Sequence, residues 1–278
     1  MKKTLNIDGR LVDLSKPKVM GIINATPDSF YDKSRIYGGL KSLDATLELM
    51  VRDGADIIDV GGYSTRPGAS DISVKDEIKR VVPIIRQIKG GHKSVIVSID
   101  TFRSEVAKAA VGEGATIIND ISGGTLDKEM PRTVAELNVP YVLMHTRGTP
   151  ETMQGLTVYN DVLSDVLAEL QQRVVLFEEK GVMDIIIDVG FGFAKTVNQN
   201  FELLKKMDCF NILNRPLLVG ISRKSMIWRT LGNTQDEALN GTTALNMLAL
   251  SKGANIIRVH DVKEAKEAVL LNNAMGDL

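Results

Sequence analysis

The chain is predicted to be an α/β protein closed into a (β/α)8 TIM barrel with a short N-terminal β-hairpin. Three observations carry this. First, the phrase Gly-Ala-polar-Ile-Ile-polar recurs. It stands as Gly54-Ala55-Asp56-Ile57-Ile58-Asp59, Gly114-Ala115-Thr116-Ile117-Ile118-Asn119 and Gly253-Ala254-Asn255-Ile256-Ile257-Arg258, with a looser copy from Gly181 to Asp188. Each copy is a helix-stopping Gly, a short β-branched run too apolar to face water, and an abrupt polar residue, the sequence form of a repeated helix–strand unit. Second, apolar runs alternate with helical patterns to the end of the chain, as βαβ units do. Third, eight such pairs fit within 278 residues, close to the roughly 250 typical of a closed barrel. In that architecture the carboxyl ends of the strands share one mouth, so Asp59, Asn119, Asp188 and Arg258 are expected to converge. A doubly wound open sheet is the alternative that the pattern leaves open.

Taken in order, a hairpin runs from Thr4 to Leu14 with its turn at Asp8-Gly9. The expected strands are 19–23, 56–60, 95–99, 115–118, 140–144, 185–188, 217–221 and 255–259. Their near-continuous apolar character fits burial on both faces. Between them, helices are expected at 39–53, 73–89, 103–112, 129–137, 159–180, 198–206, 236–251 and 261–273. These rest on apolar spacings of three and four, such as Leu43, Leu47 and Met50, or Val162, Val166, Leu170 and Val174. No linker, low-complexity tract or break in composition interrupts the series, so residues 1–278 are expected to form one domain.

Composition narrows the function classes. With 44% hydrophobic but only 5% aromatic residues, the core is expected to be aliphatic. A formal net charge of -1 gives no electrostatic reason to expect a nucleic acid or an anionic membrane as partner. Cys209 is the single cysteine, which rules out an intrachain disulfide and fits a reducing compartment. No secretory h-region follows Lys2 and Lys3, and no apolar run reaches membrane-spanning length. A soluble, cytoplasmic protein is expected.

The residues at the strand exits carry the chemistry. They are Asn24 to Phe30, Asp59 to Gly68, Asp100 to Arg103, Asn119 to Gly124, His145, Asp188 to Lys195, Ser222 to Ser225, and Arg258 to Asp261. Asp59, Asp100, Asn119 and Asp188 form an acceptor-rich set suited to a heterocycle edge with adjacent N–H donors. Arg66, Arg223, Lys224, Arg258 and His260 form a cationic set suited to a phosphate or diphosphate. Simpler readings apply to single residues: Asp100 alone could be a helix cap, Asp261 is read as one, Asp56 and Asp184 as structural, and His145 as a satisfied barrel histidine. The three histidines lack metal-ligand spacing. The coincidence at nearly every exit is what favours a site.

At these residues the chain resembles the dihydropteroate synthase family, the sulfonamide-inhibited enzymes of folate synthesis, over essentially its whole length. The segments that carry the resemblance are Gly21 to Phe30, Asp59 to Gly68, Ser98-Ile99-Asp100-Thr101, Asn119 to Gly124, Ser222-Arg223-Lys224-Ser225 and Arg258-Val259-His260-Asp261. The resemblance implies a single pterin-binding TIM-barrel domain, usually a homodimer. Its reaction joins 6-hydroxymethyl-7,8-dihydropterin diphosphate to 4-aminobenzoate. It implies that Asp59, Asp100, Asn119, Met144, Asp188 and Lys224 form the pterin pocket, and that Asn24, Arg258 and His260 engage the diphosphate with Mg²⁺ near Asn24. It places Thr65, Arg66, Pro67, Phe193, Lys224 and Ser225 around the aminobenzoate, and gives Asp32 a part in ordering the closed site. Departures from the commonest pattern are Val189 where Pro often follows the Asp, Ala194 where Gly is frequent, and a bulky, basic Tyr31-Asp32-Lys33-Ser34-Arg35. A dissociative displacement needs no protein nucleophile, and Cys209 is not a candidate. Two rivals are a methyltetrahydrofolate-binding barrel, which has no need of the anion site, and a silent homologue, which should have lost Asn24, Asp100 or Lys224.

Overall fold

The computed structural model describes residues 3–25, 40–63 and 71–276, and of residues 40–42 the backbone alone. A hairpin of β1 (Thr4–Ile7) and β2 (Arg10–Asp13) precedes eight parallel strands: β3 (Lys18–Asn24), β4 (Ile57–Gly61), β5 (Ile96–Asp100), β6 (Ile117–Asp120), β7 (Tyr141–Met144), β8 (Ile185–Asp188), β9 (Leu217–Val219) and β10 (Ile256–Val259). These close in the order β10-β3-β4-β5-β6-β7-β8-β9, with β9 paired to β10. The open sheet is therefore excluded. The helices among the described residues are α1 (Leu40–Arg52), α2 (Val74–Gly91), α3 (Ser104–Gly112), α4 (Met130–Leu137), α5 (Val162–Glu179), α6 (Val197–Lys205), α7 (Ser225–Leu231), α8 (Leu239–Ser251) and α9 (Val262–Gly276). None is long and apolar enough to cross a membrane.

The recurring Gly-Ala phrase is a helix terminator in the physical sense. Gly54, Gly114, Gly181 and Gly253 all have φ between 92° and 109°, a region that side chains avoid. In each copy the Gly N–H bonds back three residues and the next N–H bonds back five, as in Gly54→Val51 and Ala55→Met50, or Gly253→Leu250 and Ala254→Ala249. That pair of bonds is a Schellman cap. It ends one helix and aims the chain into the next strand.

Strand parity then sorts the residues. Met20, Ile57, Ile117, Val142, Ile186, Leu218 and Ile256 point inward and form a cluster with Leu5, Ile7 and Leu14 of the hairpin. Val19, Ile58, Val97, Ile118, Leu143, Ile187, Val219 and Ile257 pack outward among the helices. The hairpin thus plugs the amino-end of the barrel. Asp184 Oδ2 accepts Asn6 N–H at 3.0 Å there, and Asn255 Nδ2 donates to Leu14 O at 3.1 Å. Asp56 Oδ2 likewise accepts Val19 N–H at 3.0 Å, so both acids are structural as expected. Because side chains alternate along a strand, residues two places beyond the apolar floor also point inward. These are Ile22, Asp59, Asn119, Met144, Asp188 and Arg258, with Gly220 in the same layer.

Three element readings need correction, the simplest being that the helix expected over 236–251 starts at Leu239. Ser222 to Ser225 was expected to end a strand reaching 221, yet β9 stops at Val219 and Ser225 opens α7. Seven residues are too few for a helical period to declare itself. The helix expected from 159 begins at Val162, because the Asp161 carboxylate accepts Ser164 N–H at 2.8 Å and caps it there.

Candidate active site

Arg258 lies at the centre of the polar layer. Its Nε donates to Asp59 Oδ2 at 2.6 Å and its Nη2 to Asp100 Oδ2 at 2.7 Å. Asn119 Nδ2 donates to the same Asp59 oxygen at 2.9 Å. Asp59 is fully buried, and its other oxygen, Oδ1, accepts no hydrogen bond among the described residues. A buried carboxylate oxygen left so is costly and marks a place for a donor. Burial pushes the Asp100 carboxyl up to about 7, against the pull of Arg258 and with help from Asp59.

Across the cup, three groups meet around Gly220. A Cβ there would stand 3.9 Å from Arg258 Cβ, 3.9 Å from Lys224 Nζ and 4.0 Å from Asp188 Oδ2. Asp188 Oδ1 accepts Gly190 N–H at 2.8 Å; burial raises its pKa, and Lys224 opposes that. Lys224 Nζ bonds Phe191 O and sits 4.7 Å above the Phe193 ring centre. Burial lowers its ammonium to about 8. Met144 is buried beside Asp188 in register. At the exit of β3, Asn24 Oδ1 and Asp100 Oδ2 would both lie 3.7 Å from a Cβ at Gly61. Barrel closure therefore brings together Asn24, Asp59, Asp100, Asn119, Met144, Asp188, Phe193, Lys224 and Arg258. Asp32, Thr65, Arg66 and Pro67 lie outside the described residues.

Two members of the expected cationic set behave otherwise. Arg223 turns away from the cup, on a backbone with φ 54°. Its Nε and Nη2 hold the Asp261 carboxylate at 2.8 and 2.9 Å, and its Nη1 donates to Gln235 O and Asp236 O at 3.0 and 2.7 Å. It locks the start of α8 to the exit of β10, and Asp261 serves that lock. His260 is not a cation either: burial, then the charges of Arg258, Arg223 and Lys224, hold it at about 3. Ser222 Oγ accepts the His260 backbone N–H at 3.2 Å and lies 3.0 Å from Nδ1. These two contacts fix the ring's orientation at the exit of β10. The signs are also interleaved, with Arg258 between two carboxylates, and do not occupy separate acidic and basic walls.

Several residues of the exit segments have supporting roles that the sequence does not assign. Asp120 is buried and accepts Ser122 N–H at 2.7 Å, Gly124 N–H at 3.0 Å and Tyr141 Oη–H at 2.7 Å, which fixes the β6 exit. Arg103 reaches Ile72 O at 2.8 Å and buried Glu77 at 3.0 Å, tying the second exit loop to β5. Lys195 is 6% exposed beneath the β8 exit, bonded to His145. His145 is satisfied, as expected, with Glu169 at its other nitrogen. Ala194 has φ 48°, which gives the physical reason Gly is frequent there.

The geometry agrees with what known proteins show. The family model for pterin binding enzymes matches residues 20–260. The chain belongs to the pterin binding enzyme family. It is 43% identical over 271 residues to the dihydropteroate synthase of Escherichia coli, covering 94% of this chain and 92% of that one. Among solved structures in the family, the Yersinia pestis dihydropteroate synthase in a sulfonamide drug complex superposes with a TM-score of 0.92 at 36% identity, covering 99% of this chain and 100% of that one. The Xanthomonas albilineans dihydropteroate synthase with 4-aminobenzoic acid gives 0.89 at 35% identity, with both chains covered in full.

Proposed function

We propose that this protein is a transferase that condenses 6-hydroxymethyl-7,8-dihydropterin diphosphate with 4-aminobenzoate, releasing diphosphate and 7,8-dihydropteroate in tetrahydrofolate biosynthesis. The observation that carries this is the convergence of Asp59, Asp100, Asn119 and Asp188 with Lys224 and Arg258 in one cup. A donor-rich ring and an anionic tail are the two ends of one substrate that needs both.

Arylamines are weak nucleophiles, so rate must come from the leaving group. As the C–O bond at the pterin methylene breaks, the electron pair goes to diphosphate. In this reading Arg258, His260 and Asn24 meet the growing charge. The dihydropterin ring delocalises the cation, and the Asp100 carboxylate stabilises it. The arylamine nitrogen then bonds the methylene and loses a proton. Asp188, Asn119 and Asp59 take the ring-edge donors, with Met144 against the ring. Lys224 borders both pockets, and Phe193 and Ser225 belong to the aminobenzoate side. For Thr65, Arg66 and Pro67 on that side, and for Asp32 in site closure, the sequence resemblance is the support.

Mg²⁺ is part of this reading. Among the described residues no group of three His, Cys, Asp or Glu side chains could hold a metal. One amide oxygen, Asn24 Oδ1, with Asp100 nearby, fits a cation that takes few protein ligands and leans on substrate phosphates and water. When bound it would neutralise phosphate charge. A homodimer is supported by exposed Leu248 on α8 and Leu270, Leu271 and Met275 on α9. A cytoplasmic setting is supported by the lone Cys209.

The test is a coupled assay for diphosphate release with and without 4-aminobenzoate. Release that depends on the arylamine is expected. Pterin binding without release would favour the methyltetrahydrofolate-type barrel, and neither would favour a silent homologue.

A further inference from the structure

We propose that Lys195 is a positioning residue for this transfer: its buried ammonium clamps the turn after β8 so that Asp188, Phe193 and Lys224 meet the two substrates in one arrangement. The inference rests on the transferase reading above. Lys195 Nζ lies 3.0 Å from Gly190 O, 3.0 Å from Phe193 O and 2.9 Å from His145 Nδ1. The His145 carbonyl oxygen is a fourth, longer contact at 3.4 Å; an ammonium has three N–H donors and no acceptor, so each of the three shorter contacts can take one N–H. His145 Nδ1 must then be the bare nitrogen, and its proton sits on Nε2, facing Glu169 Oε2 at 3.0 Å. Glu169 is held in turn by Arg147 Nε at 3.0 Å. A chain of contacts thus runs from Arg147 through Glu169 and His145 to the two loop carbonyls.

The clamped turn carries the site. Gly190 N–H holds Asp188 Oδ1 at 2.8 Å, Phe191 O holds Lys224 Nζ, and the Phe193 ring lies under that same ammonium. The turn has little freedom otherwise: a Cβ at Gly190 would meet His145 O at 1.9 Å, and Asn200 Oδ1 accepts Gly192 N–H at 2.7 Å. Among the described residues no carboxylate lies in hydrogen-bond contact with Lys195. Burying a cation without one is costly, and burial pulls its pKa down to about 7 despite the field of Asp188. Keeping three carbonyl and imidazole acceptors in place accounts for a lysine where an apolar residue would cost less.

The test is steady-state kinetics on Lys195→Met, with thermal unfolding and imidazole nitrogen chemical shifts measured on the same protein. The expected result is a loss of roughly 10- to 100-fold in kcat/KM, the scale of a misplaced site. It should come with a raised KM for 4-aminobenzoate and a changed His145 signature. A lower unfolding temperature with kcat and both KM values unchanged would mean packing alone and would overturn the clamp. If Lys195→Met does not fold, Glu169→Leu decides, because it removes the acceptor that pins the His145 proton. A raised KM for 4-aminobenzoate there supports the clamp, and an unchanged KM overturns it. Inactive wild-type enzyme in the same assay would sink the transferase reading instead.

Discussion

Arg223 and Arg258 stand at neighbouring strand exits and do opposite work. Arg223 is 4% exposed, and its donors go to a bidentate carboxylate and two carbonyls. Those bonds turn the guanidinium toward the fold and away from the cup. Arg258 has a fifth of its side chain exposed and bridges Asp59 and Asp100, two carboxylates that a donor-rich ring can also satisfy. An arginine held by a carboxylate and two carbonyls locks a fold; one that shares its partners with a substrate can serve a reaction. The difference is set by the third dimension, since both follow an apolar strand in sequence.

The contrast can be broken in several ways, taken from the largest expected effect downward. Arg223→Met should cost roughly 3–5 kcal/mol of stability, because it leaves Asp261 without its partner; denaturant unfolding reads this, and a small change would demote the lock. Arg258→Ala should lower kcat by roughly 100- to 1000-fold in a barrel that still folds, since burial already raises the Asp100 carboxyl to about 7 and lets it take up a proton. An unchanged turnover rate would refute its role toward the leaving group. Asp188→Asn should weaken pterin diphosphate binding by about 1–3 kcal/mol, the cost of an unmade buried hydrogen bond, and calorimetry showing native affinity would count against that pairing. The smallest effect concerns His260, held neutral at about 3 by burial and three nearby cations. An anion beside it raises that value, so inorganic pyrophosphate should bind with proton uptake and more tightly as pH falls toward 6.5, its ordinary range. Calorimetry in buffers of different ionisation enthalpy measures the uptake, and His260→Gln should reduce it.

Much of this arrangement was legible in the sequence. The Gly-Ala phrase signalled the barrel because it encodes a Schellman cap followed by a buried strand, and strand parity carried Asp59, Asn119, Asp188 and Arg258 to one mouth. Other parts were not legible, for physical reasons. Helix α7 has only seven residues, so Ser222 to Ser225 read as a strand end. Arg223 and Lys224 are adjacent and alike in charge, and only the φ of 54° at Arg223 sends them to different places. The neutrality of His260 depends on cations from other segments. Lys195 follows a glycine-rich turn, where nothing local distinguishes a buried lysine from a solvated one.

The most direct measurement is a crystal structure with the pterin diphosphate and 4-aminobenzoate bound. The account predicts the ring edge on Asp188, with Asp59 Oδ1 accepting a donor. It also predicts diphosphate oxygens on Arg258 and His260, and the arylamine between Phe193 and Lys224. A diphosphate seated away from Arg258, with the Asp59 and Asp100 bridge undisturbed, would contradict it.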